Sequence, residues 1–182
     1  DLSNNGIYSV ELGANLLSPP AVVVDSYGIY SFVTASTGKL TNVFSLTKKG
    51  SGTLILDNNA VITNSVTIEA GTLELGAASG RGTLGSGYPG YTAPVTISGT
   101  LAFNRTSSLD FSNNITGSGT LSILATAAGT WNLYGNNTMS GYSIIHNGNL
   151  PLYFRTPGSL GTPANVQADA AQNMNVRIQM GG

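Results

Sequence analysis

Residues 52–56 read Gly52-Thr53-Leu54-Ile55-Leu56, and residues 129–133 read Gly129-Thr130-Trp131-Asn132-Leu133, an offset of 77. It holds without a gap as far as Gly71-Thr72-Leu73-Glu74-Leu75 against Gly148-Asn149-Leu150-Pro151-Leu152. Eight of those 24 aligned positions are identical, so one long unit has been copied. Gly82-Thr83-Leu84-Gly85-Ser86 returns as Gly158-Ser159-Leu160-Gly161-Thr162, at an offset of 76.

Inside each unit apolar residues alternate with polar ones. Val66 and Ile68 face one way and Thr67 and Glu69 the other; after an Ala70-Gly71 corner, Leu73 and Leu75 resume the inward side. Val95, Ile97, Leu101 and Phe103 repeat the scheme around Ser98-Gly99. Period-two alternation in short runs marks half-buried strands, and glycine at each break supplies corners without a Cβ. The corners fall at Gly52, Gly71, Gly99 and Gly119, a recurrence close enough and regular enough for the rungs of a solenoid.

A sandwich is the competing topology, but it pairs strands of unlike sequence and has no cause to repeat residue types at a fixed offset. The expected fold is therefore all-β, a right-handed single-stranded parallel β-helix. It forms one continuous segment over 1–182, with N-terminal coils over 1–42, a first repeat unit over 43–119 and a second, partial one over 120–182. Stacking at about 4.8 Å would set Leu on Leu and Asn on Asn. The pairs Asn58-Asn59, Asn113-Asn114 and Asn136-Asn137 are then placed to hydrogen-bond between turns. Leu54, Leu56, Leu73, Leu75, Leu101, Phe103, Leu121, Ile123, Trp131, Leu133, Leu150 and Leu152 are expected to share one core.

Composition limits the function. Charged residues are 8% of the chain, against roughly 25% in an ordinary soluble domain, yet 41% is hydrophobic, enough for a core. A net charge of −1 argues against nucleic acid, which demands clustered Lys and Arg. No run has the length of a membrane-spanning helix, so no membrane insertion is expected, and no signal peptide is seen; the start at Asp1 reads as a processed or excised end. With no cysteine, disulfides contribute nothing.

The stretch Leu46-Thr47-Lys48-Lys49-Gly50-Ser51-Gly52-Thr53-Leu54-Ile55-Leu56 resembles the opening of the passenger-associated transport repeat of autotransporter proteins. Thr63 to Leu75, and Gly135-Asn136-Asn137-Thr138-Met139-Ser140-Gly141 leading to Gly148-Asn149-Leu150, resemble the rest of it. Tyr27-Gly28-Ile29-Tyr30-Ser31-Phe32 is similar to the aromatic strand that often precedes the first repeat. The resemblance implies a parallel β-helix passenger, export across the outer membrane and a place at the bacterial cell surface. The chain departs from a complete autotransporter in showing no C-terminal membrane barrel, and Lys48-Lys49 become Ala125-Thr126 in the second copy.

Candidate site residues are few. His146, the only histidine, aligns with outward Glu69 and has nothing beside it to orient it. The carboxylates show no Asp-x-Asp on one strand face, and Glu69 and Glu74 flank a corner, so no catalytic pair, metal site or cofactor is expected. Lys48-Lys49 reads as a solvated basic pair at a turn, and Arg81 and Arg155 as solvated loop charges. Pro151 replaces an outward residue and cannot donate to a ladder, so coils near 151–163 should deviate. Tyr88 and Tyr91, in the insertion Tyr88-Pro89-Gly90-Tyr91, are the candidate glycan contacts.

These observations favour a non-catalytic structural module that self-associates or stacks on neighbouring β-helix polypeptide in elongated assemblies. The alternatives are an adhesin or glycan-binding passenger and, with fold analogy alone behind it, a polysaccharide-acting enzyme. Asp1–Leu17 reads as strand and turn, Asn173–Gly182 keeps alternating apolar residues at Met174, Val176, Ile178 and Met180, and neither end resembles a cap.

Overall fold

The structure, a computed structural model, describes residues 6–34, 38–85, 92–125, 130–141, 143–146, 152–155, 158 and 166–168. It is a parallel β-solenoid of about six turns, with no helix among the described residues.

Each coil has three faces, visited in the same order. The first face is one eight-stranded sheet of Ile7–Leu12 (β1), Ile29–Thr34 (β4), Thr53–Asp57 (β7), Thr72–Ser79 (β10), Thr100–Arg105 (β13), Thr120–Ala125 (β16), Ser143–His146 (β18) and Val166–Ala168 (β20). The second face is broken into short ladders. They pair Leu16–Leu17 (β2) with Lys39–Leu40 (β5), Asn59–Ala60 (β8) with Thr83–Leu84 (β11), and Leu109–Phe111 (β14) with Trp131–Leu133 (β17) and then Leu152–Phe154 (β19). The third face is a five-stranded sheet of Ala21–Asp25 (β3), Val43–Lys49 (β6), Ile62–Ile68 (β9), Val95–Ile97 (β12) and Ile115–Gly117 (β15).

Alternation along each strand becomes columns across strands. On the first face Tyr30, Leu54, Leu73, Leu101 and Leu121 stack in register, with Phe32, Leu56, Leu75, Phe103 and Ile123 two positions on. On the third face the column is Val22, Leu46, Val66, Val95 and Ile115. Trp131 stacks between Leu109 and Leu152 on the second face. Phe103 meets the rings of Phe111 and Trp131 edge-on, with centroids 4.9 and 6.0 Å away. Of the twelve residues expected in the core, all but Leu150 are buried in one cluster; Leu150 lies outside the described residues, as does Pro151.

The corner from third to first face is lined by glycine. A Cβ on Gly52 would lie under 3.0 Å from the carbonyl oxygen of Gly28, and the same holds for Gly71 on Gly52, Gly99 on Gly71, Gly119 on Gly99 and Gly141 on Gly119. Successive coils touch here backbone to backbone. Thr53, Thr72, Thr100 and Thr120 donate their N–H groups to Gly28, Gly52, Gly71 and Gly99 at 2.8–3.0 Å, which locks the register just downstream.

The repeat offset of 77 does not mark positions that stack, and here the structure corrects the sequence reading. Leu54 returns to its column at Leu73, Leu101, Leu121 and, by backbone register, Ser143, whereas its repeat partner Trp131 lies on the second face. In the same way β9 corresponds to β18 and β10 to β19, each one face later in the coil. The copied unit is strand, corner, strand, and any two consecutive faces can accept it because all three share one inward–outward alternation. Leu54 and Trp131 still share one core.

Two outcomes test this packing. Leu73→Ala, at a fully buried position, should cost about 2–5 kcal/mol in a urea melt; a loss too small to resolve would contradict the column. The emission of Trp131, the only tryptophan and 1% exposed, should be blue-shifted in the native chain and move to the red on denaturation.

Candidate functional site

Solvation of Lys48 is a second expectation that the structure overturns. Lys48 sits at an inward position of β6, between Val24 and Ile68, and is fully buried. Its ammonium donates to the carbonyl oxygens of Lys49 and, at 2.8 Å, Gly50, filling the corner beside the glycine column. Burial lowers its pKa from the ordinary 10.5, and the charge of Asp25 partly opposes the shift. Lys49 points outward and pairs with Glu69 at 3.5 Å, both side chains half exposed, an interaction of little energetic weight. Parity was the available signal: Lys48 lies two positions after inward Leu46, as Ile68 lies two after Val66.

Arg105 ends β13 and is also buried. It donates to the carbonyls of Arg81, Gly82 (2.6 Å) and Gly80 (3.0 Å) and to Ser107 Oγ (3.0 Å), while its Nε has no partner. Burial pushes the guanidinium down from its usual range, and Asp57 opposes the shift. Asp57 in turn accepts from Ser79 Oγ. Arg81, expected as a solvated charge, is exposed and donates to the Thr34 carbonyl at 3.0 Å. Together these contacts fasten the turn over residues 78–82, where Ala78 and Gly82 hold positive φ. Tyr88 and Tyr91 lie outside the described residues.

The asparagine pairs do bond between coils, though to backbone. Asn113 Nδ2 donates to Ala93 O at 2.9 Å, Asn137 Oδ1 accepts from Ile115 N at 2.8 Å, Asn114 Oδ1 accepts from Asn136 N at 2.8 Å, and Asn58 Nδ2 reaches Phe32 O at 3.1 Å. These amides replace ladder bonds where strands end.

The second face carries an outward polar and aromatic cluster that the sequence reading passed over. Asn132 donates to Asp110 Oδ1 at 2.6 Å and accepts from Arg155 Nε at 2.7 Å, and the Arg155 guanidinium lies 4.2 Å from the Tyr153 ring centre. The backbone of Arg155 is bonded to Leu133 and that of Tyr134 to Phe111, so the two residues neighbour each other on adjacent coils. Arg155 is thus a member of a network and not a loose loop charge. His146 is placed in β18 by its backbone alone. Among the described residues no three His, Asp or Glu side chains gather where a metal would sit.

The buried ammonium makes stability depend on pH in a stated direction. With a lowered folded pKa, the unfolded chain binds more protons between that value and 10.5, so Lys48 makes stability rise with pH across this window. Subtracting a Lys48→Met variant in urea melts from neutral pH up to pH 10.5 should isolate that rise, because every other group is common to both proteins. A difference that is flat or falls with pH would contradict the buried charge.

Residues 46–75 and 128–150 match the family model of the passenger-associated-transport-repeat. No curated protein and no solved structure matches the chain. Two matched repeats on a parallel β-solenoid are what an autotransporter-type passenger β-helix has, and the chain is similar to that family over these two stretches.

Proposed function

We propose that this passenger segment is a non-catalytic structural module of a secreted or surface-displayed bacterial protein, and that it works by stacking β-coils into an elongated assembly. One observation carries the reading. Among the described residues nothing covers the interior of the first coil: Val10, an inward residue of β1, is 39% exposed, over a recess of about 310 Å³ lined by Val10, Val23, Val24, Asp25, Tyr30 and Phe32. Ile7, Leu16, Leu17 and Val23 leave further apolar surface on the same coil. Among the described strands β1, β2 and β3 are each paired on one side only. An unpaired rim of N–H and C=O groups over an apolar mouth favours a further parallel coil as its partner. The passenger repeat supports a place outside the cell, since it belongs to proteins exported as passengers. Low charge and the Thr- and Ser-rich outer columns also suit a scaffold better than a reaction centre.

Light scattering at micromolar concentration tests the stacking. The expected mass is a multiple of 18.6 kDa, falling toward one chain when Val10→Asp places a charge in the mouth. A native chain that remains a single 18.6 kDa particle would contradict self-stacking.

A further inference from the structure

On the second face the outward side chains of three successive coils form a single patch. Asp110, Asn132 and Tyr153 make one column, and Ser112, Tyr134 and Arg155 the next, two positions along. We propose that this patch binds a short neutral oligosaccharide, with a sugar ring seated on Tyr134 and its hydroxyls held by the Asp110–Asn132 side.

The three faces present different surfaces to solvent. On the third face the matching outward column is Thr47, Thr67, Thr96 and Thr116, and on the first it is Thr53, Thr72, Thr100 and Thr120, hydroxyls with little apolar surface. Among these columns, the second-face patch alone combines flat aromatic rings with planar hydrogen-bonding groups. Tyr134, the residue that follows β17, is 40% exposed, so part of its side chain meets solvent at the edge of this ladder. The apolar C–H side of a pyranose can lie on such a ring, while its hydroxyls need donors and acceptors near the ring edge.

Those groups are already oriented. The Asn132 amide is fixed at both ends, giving to Asp110 at 2.6 Å and receiving from Arg155 at 2.7 Å, and Arg155 is held over Tyr153. Side chains locked before binding lose little entropy when a ligand arrives. Asp110 is exposed and offers a carboxylate to a pair of sugar hydroxyls. The carboxylate and the guanidinium cancel in charge, which favours a neutral sugar over a uronic or sialic acid. Three strands at about 4.8 Å spacing span roughly 10 Å, enough for a short oligosaccharide and too little for a protein interface.

The test is a printed array of neutral, sialylated and uronic oligosaccharides probed with the full 182-residue chain. The expected result is binding to neutral oligosaccharides that falls at least tenfold in Tyr134→Ala and in Asp110→Ala, each with native circular dichroism, and that persists in a Tyr88→Ala/Tyr91→Ala double variant. No bound glycan, binding confined to acidic glycans, loss only in the loop double variant, or full binding by Tyr134→Ala would each overturn it. Assembly is read separately by light scattering, so stacking and glycan binding fail independently.

Discussion

At one corner of every coil the backbone passes so close to the coil before it that only hydrogen fits where a side chain would stand. Gly52, Gly71, Gly99, Gly119 and Gly141 form this column, the first of them set against the backbone of Gly28. Its consequence is register. With the corner fixed, the next residue is threonine in four consecutive coils, and the residue after that enters the core as leucine. The remainder of the coil is then free to vary in length. The coil from Gly71 to Gly99 is longer than those from Gly52 to Gly71 and from Gly99 to Gly119, and the strands on either side still meet in register. The excess enters on both sides of β11, away from the glycine corner: the offset to the preceding coil is 19 at β10, 24 at β11 and 29 at β12.

The polar groups inside the solenoid follow from the same geometry. A parallel ladder satisfies the backbone along strands and leaves carbonyls without partners at corners and turns. Lys48 answers the corner at Lys49 and Gly50, Arg105 the turn at Gly80 to Gly82, and Asn58 and Asn113 the carbonyls of Phe32 and Ala93, while Asn114 and Asn137 accept from the N–H groups of Asn136 and Ile115. In a chain with only seven Lys and Arg, placing two of them inside is a large commitment. Each charge costs desolvation, which the lowered pKa values register, and each is offset by carbonyls that would otherwise be buried unpaired.

Much of this fold was legible in the sequence because it rests on short-range signals. Alternation placed the strands, glycine placed the corners, and eleven of the twelve residues read as core are buried together. The long repeat misled, since a strand–corner–strand unit fits any two consecutive faces and carries no mark of which pair it occupies. That ambiguity hid the second-face patch. Asp110, Asn132 and Tyr153 come together because each lies one coil beyond the last, a short interval that the larger repeat obscures. Lys48 was missed for a different reason. A Lys-Lys pair before Gly-Ser-Gly reads as a turn, and only its parity with Leu46 sets it inside.

Coils therefore stack at the glycine corner and not at the repeat offset. Cysteine pairs with a short thiol-to-thiol cross-linker test this on a chain that has no native cysteine. Thr72→Cys with Thr100→Cys, directly opposed on β10 and β13, should cross-link within one chain in high yield. Thr53→Cys with Thr130→Cys, equivalent in the long repeat but on different faces, should not. Cross-linking of the second pair in preference to the first would contradict the account.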